Sequence, residues 1–103
     1  MKRFAFAMKL KGEEVIPEYE KLHKEVGKDV IDAHKRSGFN NYSIYRMGLT
    51  LFAYFESEEP EKCFEKLSTE PIMKDWWAKT NPLMETEENK PLFIPLPEVF
   101  HMD

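Results

Sequence analysis

The chain opens with apolar side chains at every second position. This period of two predicts a half-buried strand over residues 3–10, and its apolar face consists of Phe4, Phe6, Met8 and Leu10. Two further strands, over residues 41–47 and 49–56, flank Gly48 and predict a hairpin. Residues 96–102, which include Val99 and Phe100, are predicted to form the last strand.

After the first strand the apolar spacing changes from two residues to three or four. The stripe predicts one helix over residues 15–37, with its apolar side formed by Ile16, Leu22, Val26, Val30 and Ala33. Gly38 is predicted to cap this helix, and Gly27 is expected only to weaken it, by roughly 1 kcal/mol relative to Ala. Pro60 and Pro71 open two shorter helices, over residues 61–67 and 71–81.

The order of these elements, β-α-β-β-α(α)-β, predicts a ferredoxin-like α+β fold with an antiparallel sheet and helices on one face. The 103 residues are expected to form one domain, residues 1–103. Both faces of the sheet carry apolar side chains, and the helices can cover only one of them. A second subunit would cover the other, so a homodimer is expected.

Composition excludes several classes of partner. The net charge is −4 and the basic residues are scattered, which argues against binding to nucleic acid, because phosphates need a contiguous basic face. No apolar run approaches the ~18 residues of a membrane span. Cys63 is the one cysteine, which excludes an intramolecular disulfide and a cysteine metal cluster. The expected location is the cytoplasm.

Two polar side chains interrupt the apolar stripe of the first predicted helix. Tyr19 and His23 are four residues apart, so they lie on the same side of that helix. A buried polar group without a partner costs roughly 1–3 kcal/mol. The pair therefore indicates either a structural hydrogen-bond network or a ligand site.

Two adjacent tryptophans stand out in the last predicted helix. Consecutive side chains on a helix point about 100° apart, so Trp76 and Trp77 are expected to separate, one packing inside and the other facing a pocket or a partner.

Four motifs together resemble those of the L-rhamnose mutarotase family. They are E-Y-x-x-x-H at residues 18–23, G-x-x-x-Y-S-I at 38–44, P-I-M-K-D-W-W at 71–77 and V-F-H-M at 99–102. The resemblance covers essentially the whole chain, and its most specific parts are the Tyr–His pair and the double tryptophan. It implies a dimeric α/β-barrel enzyme that interconverts the α and β anomers of a 6-deoxy-sugar such as L-rhamnose, with neither cofactor nor metal.

The resemblance also implies a role for each site residue. His23 matches the family's proton donor, and the substrate-binding positions match Tyr19, Tyr42, Trp76 and Trp77. Histidine suits the reaction because its ordinary pKa of ~6.5 allows it to donate or accept a proton near neutral pH. The base remains open between a second histidine, a tyrosine, a carboxylate and a residue of the partner subunit. His34 is interpreted as a structural residue whose charge favours the helix C-terminus.

The chain departs from the family pattern at two places. Gly27 stands where the family has a tryptophan, which predicts a larger pocket and leaves the substrate open between L-rhamnose, L-fucose and other deoxyhexoses. Residues 86–91 also differ from the loop that the family has after the two tryptophans.

Two other functions compete with this interpretation. One is an enzyme of the cofactor-independent monooxygenase or haem-degrading type, since one fold hosts several chemistries. The other is a non-catalytic sugar-binding module.

Overall fold

The structure, a computed structural model, describes residues 1–88 and 90–103. Its helices are α1 (Ile16–Lys24), α2 (Lys28–Arg36), α3 (Pro60–Leu67) and α4 (Pro71–Thr80). Its strands are β1 (Lys2–Lys9), β2 (Asn40–Met47), β3 (Thr50–Ser57), β4 (Thr86–Glu87), β5 (Lys90–Pro91) and β6 (Ile94–Leu96). Within these described residues, no helix combines the length and apolar character that crossing a membrane requires.

Four strands form one antiparallel sheet in the order β2-β3-β1-β6. The first strand of the chain, β1, therefore lies inside the sheet, between β3 and β6. This arrangement confirms the predicted ferredoxin-like α+β fold. The two short strands β4 and β5 pair with each other as a second, two-stranded sheet.

The register of the strands separates two faces of the sheet. Phe6 lies opposite Ala53 and packs with the helices, in a core that also contains Ala33, Leu67 and Met73. Residues directly opposite each other in a ladder share a face. The next row points away from the helices and crosses all four strands, as Tyr45, Phe52, Ala7 and Ile94.

The predicted single helix over residues 15–37 is wrong, because the structure has two helices there. Gly27 adopts φ +94° and ψ 146°, a backbone conformation that is essentially restricted to glycine, so α1 ends at Lys24 and α2 begins at Lys28. The predicted cap at Gly38 is correct. Gly38 has φ +99°, and the N–H of Phe39 donates to the carbonyl of His34 at 3.0 Å.

The predicted last strand is misplaced. The strand is β6, which pairs with Ala5 and Ala7, and the chain beyond Leu96 forms no ladder. Pro95 and Pro97 explain its shortness, because proline has no N–H to donate to a neighbouring strand. Val99 and Phe100 are therefore outside the sheet, 94% and 77% exposed.

The glycine between α1 and α2 gives a test of the broken helix. In a continuous helix Gly27→Ala would stabilise the protein by roughly 1 kcal/mol. With the observed backbone we expect the opposite, a loss of about 1–3 kcal/mol in the free energy of unfolding. Urea denaturation measures it, and Lys21→Ala on the exposed side of α1 is a control expected within about 0.5 kcal/mol of the original protein.

Candidate active site

A cavity of about 520 Å³ lies between the helices and the edge strand β2. Ligand pockets typically measure ~300–1,000 Å³. Side chains from α1, α2, α4 and β2 line it, and every sequence-predicted site residue is among them: Tyr19, His23, Tyr42, Trp76 and Trp77. The structure thus brings together residues that are up to 58 positions apart in the sequence, since Tyr19 and Trp77 border one space.

The imidazole of His23 is fixed by the backbone of its own helix. Its Nδ1 lies 2.9 Å from the carbonyl oxygen of Tyr19, one helical turn earlier. A carbonyl oxygen only accepts hydrogen bonds, so Nδ1 carries the proton and Nε2 of the neutral ring carries a lone pair. Burial lowers the pKa of His23 below its ordinary 6.5, although this hydrogen bond opposes the shift. The ring is therefore neutral at pH 7 and can accept a proton at Nε2.

Two aromatic side chains hold this imidazole in place. The ring of Tyr19 stacks on it at a centroid distance of 4.1 Å, and Trp76 meets it edge-on at 5.3 Å. Tyr19 is itself buried, and burial raises its pKa to about 12. Its hydroxyl group therefore keeps its proton at neutral pH and serves as a hydrogen-bond donor.

A bulge in β2 positions Tyr42 in the cavity wall. Asn40 lies opposite Glu56 and Ser43 opposite Tyr54, so β2 has one more residue than β3 between these pairs. Asn41 occupies the bulge with φ +50° and lines the cavity together with Tyr42. The Asn41 side-chain amide donates to a carboxylate oxygen of Glu56 at 2.7 Å, whereas the ring of Tyr42 packs against the core residues Phe39 and Phe55. Burial raises the pKa of Tyr42, which makes it a second protonated hydroxyl group.

Trp76 and Trp77 separate in burial as expected, but both of them border the cavity. Trp76 is buried in the main core and Trp77 is half-buried beside it, yet both line the cavity. The cavity is wide enough for two indole rings, which leave neighbouring positions of α4 in different directions, to border it.

His34 is a cavity residue that the sequence interpretation missed. Its Nδ1 lies 2.8 Å from the carbonyl oxygen of Val30, and burial lowers its pKa. The ring is neutral at pH 7, so it is not the cation that the helix-dipole interpretation expects. The sequence contains a signal for this position, because His34 follows Val30 by four residues, as His23 follows Tyr19.

His101, in contrast, lies outside the cavity, where its Nε2 is 2.7 Å from a carboxylate oxygen of Asp103.

The wall of the cavity suits a neutral molecule that is rich in hydroxyl groups. Tyrosine hydroxyls can donate hydrogen bonds, imidazole Nε2 atoms can accept them, and indole rings provide an apolar surface. Among the described residues, none of those lining the cavity is a carboxylate. At neutral pH, proton acceptance in this wall therefore falls to His23 and His34. Together these features define a small ferredoxin-like protein with a sugar-compatible cavity and an imidazole that can transfer protons.

Comparison with known proteins agrees with this class. The profile of the L-rhamnose mutarotase family matches residues 3–102. An L-rhamnose mutarotase from Bacteroides thetaiotaomicron is 42% identical, with 100% of both chains covered. The crystal structure of an L-rhamnose mutarotase from Formosa agariphila has a TM-score of 0.83 at 30% identity, again with 100% of both chains covered.

The chain belongs to the L-rhamnose mutarotase family, whose enzymes interconvert the anomers of this sugar. A more distant likeness concerns the fold alone. A structure described as a dimeric ferredoxin-like protein, from an uncultured marine organism, has a TM-score of 0.54 at 14% identity. That comparison covers 91% of this chain and 86% of the other.

The two cavity histidines predict a pH dependence of stability. Because burial lowers both pKa values below 6.5 in the folded protein, the unfolded chain binds more protons as the pH falls through that value. The free energy of unfolding should therefore decrease from pH 7 towards the folded-state pKa values. Urea denaturation between pH 7 and 5 measures this, and imidazole ¹H–¹³C NMR titration should show both rings titrating below 6.5. Rings that titrate above 6.5 would contradict the prediction.

Proposed function

We propose that this protein interconverts the α and β anomers of L-rhamnose by proton transfer at Nε2 of His23. The observation that carries the proposal is the neutral imidazole, held by the Tyr19 carbonyl 2.9 Å from Nδ1, in the wall of a cavity that also presents tyrosine hydroxyls. Membership of the L-rhamnose mutarotase family supports the same reaction.

Anomer exchange requires the pyranose ring to open and to close again on the other face of the carbonyl. In the proposed first step, His23 removes the proton from the anomeric hydroxyl group. The C1–O1 bond becomes a carbonyl as the bond from C1 to the ring oxygen breaks, and the ring oxygen takes up a proton. Rotation of the open-chain aldehyde followed by the reverse steps gives the other anomer, with no net change in atoms or electrons.

One imidazole can serve both proton transfers. The anomeric oxygen and the ring oxygen are bonded to the same carbon, so a proton accepted from the first can be returned to the second. His23 then acts as the proton donor once it is protonated, which agrees with the role that the family resemblance implies. The Tyr19 and Tyr42 hydroxyl groups are proposed to bind sugar oxygens, and Trp76 and Trp77 to contact the C–H face of the ring.

The histidine is tested by truncation. His23→Ala should lower the rate of anomer exchange by about 10²–10⁴-fold, which is the typical contribution of general acid–base catalysis. NMR saturation transfer between the α and β anomeric protons of L-rhamnose measures the rate, with L-fucose in parallel. Lys21→Ala, exposed on the same helix, should exchange at the original rate.

The alternatives give different results in this experiment. A non-catalytic sugar-binding module would bind the sugar without accelerating exchange in either protein. Exchange by His23→Ala at the original rate, with the variant folded by circular dichroism, would remove His23 from the mechanism. Exchange of L-fucose alone would keep the chemistry and change the substrate.

We further propose that the protein is a homodimer. The sheet face opposite the helices has an apolar row that crosses four strands, and Tyr45 on this face is 68% exposed. Exposed apolar patches of this kind mark interfaces. A ferredoxin-like protein with a similar fold is described as dimeric, which supports a second copy as the occupant.

The free thiol of buried Cys63 is compatible with a reducing compartment, and we propose the cytoplasm as the location of the protein.

Sedimentation analysis tests the dimer. We expect a mass of twice 12.3 kDa. The double variant Tyr45→Glu/Ile94→Glu places charge in the apolar row and should sediment as a monomer, since an unpaired buried charge is costly. Tyr45→Phe keeps the apolar surface and should remain dimeric. A monomeric original protein at the concentrations used for activity would contradict the proposal.

A further inference from the structure

A second histidine–tyrosine pair lies in the same cavity as the first. The rings of His34 and Tyr42 are 5.5 Å apart, whereas those of His23 and Tyr19 are 4.1 Å apart. His34 comes from α2, and Tyr42 comes from the bulged part of β2. The cavity therefore has two places in its wall where an imidazole lies beside a tyrosine ring. At the first place both residues come from α1, and at the second they come from α2 and β2.

The two imidazoles are constructed in the same way. Each donates from Nδ1 to the carbonyl four residues earlier, at 2.9 Å for His23 and 2.8 Å for His34. Phe39, itself buried, meets the His34 ring edge-on at 5.2 Å and restricts its rotation. This construction leaves Nε2 as an acceptor without a hydrogen-bond partner among the described residues. A rigid acceptor in a cavity wall is suited to a hydroxyl donor on a ligand.

We propose that His34 is a second sugar-binding residue, whose Nε2 accepts a hydrogen bond from a ring hydroxyl group of the substrate and so selects its configuration. The proposal rests on the proposed mutarotase function and deepens it. His23 would bind the reacting end of the sugar at C1, and His34 would bind a hydroxyl group at another ring carbon, near Tyr42. An epimer with that hydroxyl reversed would leave the acceptor unpaired.

The expected selectivity follows from this unpaired acceptor. A site built to hydrogen-bond a hydroxyl group discriminates strongly against a ligand that lacks it, because the buried polar group of the protein is then left without a partner. His34 does not take part in the proton transfer at C1, so its removal should affect binding more than turnover. This separates a binding residue from one that merely supports the fold, which would lower activity towards all sugars alike.

Two substitutions distinguish the acceptor from the volume of the side chain. His34→Leu replaces the imidazole with an apolar side chain of similar size and so removes the acceptor. His34→Gln keeps a hydrogen-bonding group close to the position of Nε2. Anomer exchange would be measured for L-rhamnose, its 2-epimer and its 4-epimer, with KM and kcat determined separately.

We expect His34→Leu to raise KM for L-rhamnose by roughly 10-fold, with kcat changed less than about threefold, and to reduce the preference over one epimer by a similar factor. His34→Gln should restore part of both losses. Values of KM and selectivity within twofold of the original protein for both variants would overturn the proposal.

The outcome is separable from that of the mutarotase function. If the original protein exchanges L-rhamnose and the His34 variants match it, only the role of His34 fails. If the original protein exchanges no deoxy-sugar, the proposed function fails. His34 is then judged by adding L-rhamnose to the original protein and following its imidazole Cε1–H signal by NMR: a saturable shift supports binding at His34, and no shift overturns it.

Discussion

The antiparallel pairing of β1 with β3 is the constraint on which the rest of the structure depends. Eight consecutive residue pairs join them, from Lys2 opposite Ser57 to Lys9 opposite Thr50. A slip of one position would exchange the two faces of β1 and move Phe6 from the helix side to the opposite side. Because β1 lies inside the sheet, the same slip would also misplace β6. The sheet side chains that pack under the helices, and therefore the cavity, have this arrangement only in this register.

The chemistry of the cavity depends on burial more than on charge. Burial lowers the pKa values of the two histidines and raises those of Tyr19 and Tyr42. Both effects favour the neutral form, as expected when a charged group is removed from water. These four side chains therefore offer neutral donors and neutral acceptors, which suits a sugar that carries no charge in either anomer or in the open-chain form, while exposed Lys35 adds a basic group to the lining.

The sequence predicted the fold and singled out five residues that lie around the cavity, because the fold depends on periodicity and these residues belong to motifs that are local in the chain. It failed where a backbone conformation decides the outcome. The positive φ of Gly27 divides one apolar stripe into two helices, and the bulge at Asn41, which also has a positive φ, interrupts the regular alternation of β2. The sequence interpretation missed His34 as a cavity residue because its ring neighbour Tyr42 comes from another element, β2.

The atom that orients each histidine belongs to the main chain. In many enzymes a carboxylate side chain performs this task, and its loss by mutation changes the basicity of the ring. Here the carbonyl groups of Tyr19 and Val30 do so, and no substitution can delete them. The hydrogen bond that orients each imidazole is therefore present wherever the helix forms. Substitutions among the side chains around the sugar can therefore change the substrate, while the main-chain hydrogen bond that fixes the tautomer of each ring remains.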